Sequence, residues 1–383
     1  MEMLVLYGIN MKNFSFEVES NDHTARAGLI KTKHGIIKTP VFMPVGTSAT
    51  VKALFPKDLL DLDVEIILAN TYHLMLRPGE NLIKKLGGLH SFMNWKRPIL
   101  TDSGGYQIWS LSKLRKIIDN EIHFTSHLDG STYKLTPEKS ILIQEKLNST
   151  ISMVLDECTE YPATYKRSRD SMNLSIEWAK RCKKKFKRRD GYGLFGIIQG
   201  GMYNDLRKSC YEQLEEISFD GYALGGLSVG ESHKEMVNIV QSTAKIINSD
   251  KPRYLMGVGR PVDIFESVER GIDMFDCVIP TRFGRNGRAF VKEGEINLRN
   301  AKFAKDQSPL DHNSNSSISR DFSRAYVHHL TKSNEILSSM ILSLHNIAFY
   351  KTMMEEIRNS IIKKKFKELK KKYLKHHGKY KKN

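Results

Sequence analysis

Short, almost continuously apolar runs recur along the chain, each stopping at a polar residue or a glycine: "VFMPVG", "EIILAN", "PILTDSGG", "ISMVLDE", "LFGIIQGG", "GYALGG", "RYLMGVG" and "MFDCVIP". Runs that do not alternate suit parallel strands covered on both faces, so they count as eight strands. Between most of them lie stretches with helical periodicity, among them "SRDSMNLSIEWAKRCKKKF", "YNDLRKSCYEQLEEI" and "SHKEMVNIVQSTAKIIN". Repeated strand and helix alternation predicts an α/β fold, a (β/α)8 TIM barrel in preference to a doubly wound sheet. The connection after the third strand is long and contains "EIHFTSHLDGSTYKL", read as a hairpin turning at Asp129-Gly130. A stretch from about 303 to 326, rich in Ser, Asn and Asp and poor in periodicity, predicts an inserted subdomain.

In such a barrel, chemistry sits at the carboxyl ends of the strands. Those ends carry Asn70, Asp102, Asp156, Gln199, Gly225-Gly226, Met256-Gly257 and Asp276. A carboxylate inside a buried run is costly unless it is paired or used, which singles out Asp276 within "MFDCVIP". One Asp at a strand end is more often the N-cap of the next helix; carboxylates, amides and glycines gathered at one mouth point instead to a ligand site. The glycines of "TDSGGYQ" and "IIQGG" let backbone N–H groups come close to that ligand.

Composition narrows the class. A chain of 383 residues, 40% hydrophobic, can bury a large core. Cys158, Cys182, Cys210 and Cys277 lie far apart, indicating neither a disulfide framework nor a cysteine zinc knuckle. "MEMLVLYGIN" is too short an apolar run for a signal peptide and no later run would span a membrane, so a soluble cytoplasmic protein is expected. Net charge is +17, of which "IIKKKFKELKKKYLKHHGKYKKN", with eleven Lys against one Glu, supplies +10. This lysine-rich tail fits RNA contact and fits a solvated, frayed helix end, and both readings stay open. The cluster "KRCKKKFKRR", Lys180 to Arg189, falls on a predicted helix, where a solvated outer face is the simpler reading than polyanion binding.

Taken together, "TDSGGYQIWSL", "LDECTEYPA", "FGIIQGG", "ALGGLSVGE", "YLMGVGRP", "MFDCVIPTRFGRNGRAF" and "FSRAYVHHL" resemble the tRNA-guanine transglycosylase (queuine tRNA-ribosyltransferase) family, bacterial type, from about Arg26 to about His345. The resemblance implies a (β/α)8 barrel whose main part, with an N-terminal extension, covers 1–302, a zinc-type subdomain at 303–350, and a final barrel helix with the lysine-rich tail at 351–383. It implies exchange of the wobble guanine of tRNA for a 7-deazaguanine base on the route to queuosine, without ATP or an organic cofactor. Asp276 matches the family's nucleophile, which attacks the ribose anomeric carbon and leaves a covalent ribosyl enzyme; Asp102 matches the general acid/base. The incoming base attacks on the side the guanine left, so two inversions give retention.

The base pocket follows from the same match. Asp156, an acceptor only, would take the donor edge of the purine, while Gln199 and the N–H groups of Gly226 and Leu227 face its carbonyl. Tyr106 and Met256 form the two faces of a sandwich, next to Ser103 and Gly257. Cys158 and Val229 go with the aminomethyl precursor, and Glu231 helps to receive its ammonium, directly or by orienting the local peptide. Arg282, Arg285, Asn286 and Arg288 in "TRFGRNGRAF" are candidates for RNA, whose target base must leave its stack to enter a barrel mouth. The resemblance further implies a homodimer and no membrane.

One feature of the family is altered. Its zinc subdomain uses Cys-x-Cys-x2-Cys and a His about 25 residues later; here those cysteine positions hold Ser314, Ser316 and Ser319, and only His345 remains. Neutral hydroxyls are poor zinc ligands beside thiolates, so no structural zinc and no other cofactor is expected. Asp311, His312, His328 and His329 do not match a recognised ligand spacing. In relatives this subdomain supports RNA docking and the dimer. Two other readings are weighed: a non-catalytic tRNA-binding barrel subunit, which has no use for carboxylates facing a polyanion, and an unrelated barrel glycosidase, which has no use for a purine-reading set.

Overall fold

The computed structural model describes residues 13–111, 115–312, 314 and 316–378. The segment read for a signal peptide, apart from its surroundings, and the last lysines of the tail lie outside the described residues. The apolar runs form β1 Val41–Gly46, β2 Ile67–Ala69, β3 Ile99–Thr101, β4 Ile151–Met153, β5 Gly193–Ile198, β6 Gly221–Leu224, β7 Arg253–Leu255 and β8 Met274–Cys277. They pair in parallel in chain order, and β8 closes on β1 with Met274 opposite Val41 and Cys277 opposite Pro44. The expected (β/α)8 barrel is therefore the fold. Every residue of β1 and β5 is buried, because one face fills the barrel and the other meets helices, which is why these runs do not alternate.

The outer helices follow the sequence pattern. The helix Tyr165–Lys185 starts where the Thr164 hydroxyl accepts the Arg167 N–H, and it buries Met172, Ile176, Trp178, Ala179 and Cys182. Lys183, Lys184 and Lys185 occupy its last turn, where the helix dipole favours cations. Asn204–Ile217 and His233–Ile246 cover the next two crossovers.

Three additions surround the barrel. An antiparallel sheet, Ser15–Asp22, Ala25–Thr32 and Gly35–Thr39, closes its amino-terminal end. The buried Arg26 joins it to the base of β8, donating from Nε to Asp273 Oδ1 at 2.8 Å. After β3, the expected hairpin is present as Glu121–Thr125 paired with Thr132–Leu135, and a further strand, Arg115–Ile118, extends it. That strand escapes a hydrophobicity reading because all four of its residues are exposed.

After β8 the chain forms a hairpin, Arg288–Val291 with Gly294–Asn297, then short helices, and then the long helix Ile336–Ile362, which crosses residue 350 without interruption. Ala289, Leu298, Phe303, Leu310, Val327, Leu330, Ile341 and Leu342 make a small second core. Asn346 on the long helix accepts the Phe290 N–H at 2.9 Å and donates to the Pro280 and Arg288 carbonyls. The segment that follows Asp276 is thereby braced from behind.

Candidate active site

At the carboxyl ends of the strands a cavity of about 300 Å³ is lined by Asp102, Asp156 and Asp276 together with Ser103, Tyr106, Cys158, Gly226, Leu227, Val229, Met256 and Gly257. Residues drawn from β3, β4, β6, β7 and β8 meet there only because the barrel closes. Gln199 and Glu231 stand just behind this wall, each bonded to a residue or loop that forms it.

The three carboxylates have different surroundings. Asp102 follows β3 and is 7% exposed. It does not cap its own helix: Oδ1 accepts the Thr71 N–H at 2.8 Å, and Oδ2 accepts the Asn70 amide and the Gln107 amide, the latter at 2.8 Å. Burial raises its pKa to about 6 against the pull of these donors, and the charge of Asp276 adds to the rise. Asp156 is also pushed up to about 6 by burial, with Gln199 Nε2 donating to Oδ2 at 2.7 Å and the Ser103 hydroxyl 3.4 Å from Oδ1.

Asp276 keeps some exposure at the cavity wall, yet burial still raises its pKa. Tyr254 Oη at 2.6 Å and the Gly257 N–H at 2.8 Å both donate to its Oδ1. Among the described residues no donor reaches Oδ2. One oxygen is held and the other is left without a donor on a residue that lines the cavity, an arrangement that suits a carboxylate nucleophile.

Around these groups, burial pushes the Cys158 thiol up, so it stays a neutral, compact wall. Glu231 accepts the N–H groups of Ser228, Val229 at 2.9 Å and Gly230 at 3.2 Å, which engages its carboxylate with the loop carrying Val229. Of the two ways Glu231 was expected to act, this favours orienting the peptide. Gln199 has one amide hydrogen committed to Asp156, and its Oε1 is buried without a partner.

The family model for queuine tRNA-ribosyltransferase matches residues 21–379. A protein of that name from Zymomonas mobilis is 53% identical over 359 residues, 93% of this chain and 93% of the relative. Another, from Rickettsia massiliae, is 51% identical over 351 residues, 92% of this chain and 97% of the relative. The chain belongs to the queuine tRNA-ribosyltransferase family.

Five polar residues of this family member's cavity went unremarked in the sequence: Thr47, His73, Gln107, Ser228 and Tyr254. Tyr254 could have been found from alternation, since it stands two residues before Met256 and so points to the same side of β7. Gln107 could have been found one turn into the helix Gly105–Leu111. His73 has its pKa lowered, first by burial and then by His127 and Lys52.

Arg282, Arg285 and Asn286 are exposed in and just after the last turn of the helix Ile279–Arg285, and of these the charge of Arg282 acts on Tyr106 and Cys277 in the cavity wall. Arg288 differs: its Nε lies 2.9 Å from Glu295 and its guanidinium sits 4.7 Å from the Phe283 ring. Two rim cations were missed, Lys52 and Arg115, which are exposed and whose charges act on His73 and Cys158.

Of Ser314, Ser316, Ser319 and His345, the residues weighed as zinc-ligand positions, the two that are buried, Ser319 and His345, bond to each other. His345 Nε2 faces the Phe290 carbonyl at 2.7 Å, so it must carry the proton and donate. Nδ1 is then left to accept the Ser319 hydroxyl at 2.8 Å. The ring lone pair a metal would use is engaged by a serine proton, and burial lowers the histidine pKa, keeping it neutral. These residues do not fit a zinc ion. Among the described residues no group of three or more His, Cys, Asp or Glu side chains gathers in a way that could hold a metal, and no helix is long and apolar enough to cross a membrane.

Proposed function

We infer that this chain is a tRNA-guanine transglycosylase that exchanges the anticodon wobble guanine for 7-aminomethyl-7-deazaguanine in queuosine biosynthesis, by double displacement through a covalent enzyme–RNA intermediate. The observation that carries the reading is the trio of carboxylates in one cavity, each with surroundings suited to a different task. Asp276 Oδ2 bonds to the ribose anomeric carbon as the bond to guanine N9 breaks, while Tyr254 and Gly257 steady Oδ1. Asp102, at about 6, lies near the working pH and can give a proton to the departing base and take one from its replacement. The incoming base then displaces Asp276, restoring the original configuration.

Asp156 serves recognition. Binding of the purine N–H and amino donors favours its ionised form, adding to the hydrogen bonds from Gln199 and Ser103 that oppose the effect of burial. Tyr106, half exposed over the mouth, and Met256 offer the stacking faces. Lys52, Arg115 and Arg282 give the mouth the positive rim a flipped-out nucleotide requires. This arrangement is of no use to a non-catalytic tRNA-binding subunit.

The working form we propose is a cytoplasmic homodimer without zinc. Tyr326, Ile336 and Leu337, large apolar side chains left exposed on the small subdomain, support self-association there. The second core and the Ser319–His345–Phe290 hydrogen bonds take over the role of a metal in holding that subdomain.

Incorporation of labelled guanine into a tRNA transcript with guanine at the wobble position tests the activity. Wild type is expected to exchange it, and Asp276→Ala and Asp276→Asn are expected to bind tRNA but not to exchange. Tight tRNA binding by the wild type with no exchange would replace this reading with the binding-subunit one.

A further inference from the structure

Behind the two glycine turns on the purine side of the cavity lies Arg207, on the helix Asn204–Ile217 and only 1% exposed. Among the described residues no carboxylate pairs with it. Its guanidinium donates instead to three main-chain carbonyls: Nε to Gly201 at 2.8 Å, Nη1 to Ile198 at 3.3 Å and Nη2 to Gly225 at 2.9 Å. All three acceptors belong to the ends of β5 and β6. Burial disfavours the charge, lowering the pKa to about 10 against the opposing pull of Cys210 and the more distant Glu231, so Arg207 remains a cation at neutral pH. An apolar side chain would fill this volume without that cost. What it could not do is hold the two turns together by a fork of donors.

The Gly225 carbonyl and the Gly226 N–H are two ends of one trans peptide and point in opposite directions. A cation drawing the carbonyl backwards therefore turns the N–H towards the cavity that Gly226 lines, and polarises it as a donor. Gly226 has a φ of +65°, and a Cβ there would stand 2.6 Å from Gln199 Oε1, so the turn admits no side chain between the peptide and the base-reading amide.

We propose that Arg207 is a positioning residue for recognition of the purine carbonyl: by pinning the Gly225–Gly226 peptide from behind, it presents the Gly226 N–H to the oxo group of the base and so selects bases that carry a strong acceptor there. The proposal rests on the transglycosylase reading.

The test compares guanine with 6-thioguanine, which shares the donor edge read by Asp156 but carries a weakly accepting sulfur in place of the oxygen. Equilibrium dissociation constants are measured by calorimetry for wild type, Arg207→Met and Arg207→Lys. Wild type is expected to favour guanine. In Arg207→Met that preference falls about tenfold, the scale of one good hydrogen bond. Arg207→Lys falls part of the way, since one ammonium cannot span three carbonyls. A purely structural role would weaken both bases equally and leave the ratio unmoved, and that result overturns the proposal. If Arg207→Met does not fold, the wild-type ratio and Arg207→Lys decide: no preference in the wild type, or a ratio unchanged by lysine, also overturns it. Labelled-guanine exchange by the wild type, run alongside, separates failure of this proposal from failure of the transglycosylase reading.

Discussion

Replacing Tyr254 by Phe removes a single oxygen from the wall beside Asp276 and leaves the packing of the ring intact. That oxygen is one of two donors on Asp276 Oδ1, at 2.6 Å; the other is the Gly257 N–H at 2.8 Å. Burial raises the Asp276 pKa, and both donors oppose the rise. Burial and the neighbouring carboxylates also hold the Tyr254 phenol well above its ordinary value, so it donates at every pH where the enzyme can be assayed. A hydrogen bond to a charged acceptor contributes about 1.5–3 kcal/mol, equivalent to roughly 1–2 pK units. Its loss pushes Asp276 further up by about that amount.

The sign follows from the role. A nucleophile that acts as a carboxylate works above its pKa, so raising the pKa moves the acidic limb of the rate profile to higher pH. Below that limb, exchange by Tyr254→Phe is expected to fall about 10- to 100-fold relative to wild type, and above it the ratio recovers to within a few-fold. Because the charges of Asp102 and Asp276 interact, the limb belongs to the pair. The assay is the initial rate of labelled-guanine incorporation at saturating tRNA from about pH 5 to about pH 9. An acidic limb at the wild-type position, or a loss equal at every pH, refutes the view that Tyr254 keeps the nucleophile ionised.

Cys158, Val229 and the loop held by Glu231 lead to a preference for the aminomethyl-deazaguanine base over queuine, read as competition against labelled guanine; tighter inhibition by queuine would overturn this. Elemental analysis is expected to find no stoichiometric zinc, and light scattering to give twice the chain mass. The triple variant S314C/S316C/S319C should bind one zinc with His345 and melt at a higher temperature, a structural zinc being worth about 10–16 kcal/mol in small units. Stoichiometric zinc in the wild type would contradict the serine–histidine substitution.

Much of this protein was legible in its sequence because a parallel barrel buries both faces of each strand, and continuous apolar runs report that directly. The ends of those runs located Asp102, Asp156 and Asp276, since only the carboxyl ends of barrel strands open on a shared mouth. What the pattern could not carry was anything decided by the approach of distant segments. The exposed strand Arg115–Ile118 has no hydrophobic signature of its own. Arg288 read as one more cation for RNA until the fold put Glu295 across the hairpin from it. Tyr254 reads as core until β8 closes beside β7 and sets Asp276 within reach of its hydroxyl. Arg207 reads as an ordinary helix arginine, and only the packing of its helix behind β5 and β6 makes it a buried cation serving three carbonyls. Sequence by itself determined the strands, their order and the carboxylates at their ends, because these follow from local hydrophobicity and chain connectivity. Tertiary structure alone decided which oxygen of Asp276 is free, which proton His345 keeps and what Arg207 holds, because a hydrogen bond depends on distance and direction between groups that the chain brings together from far apart.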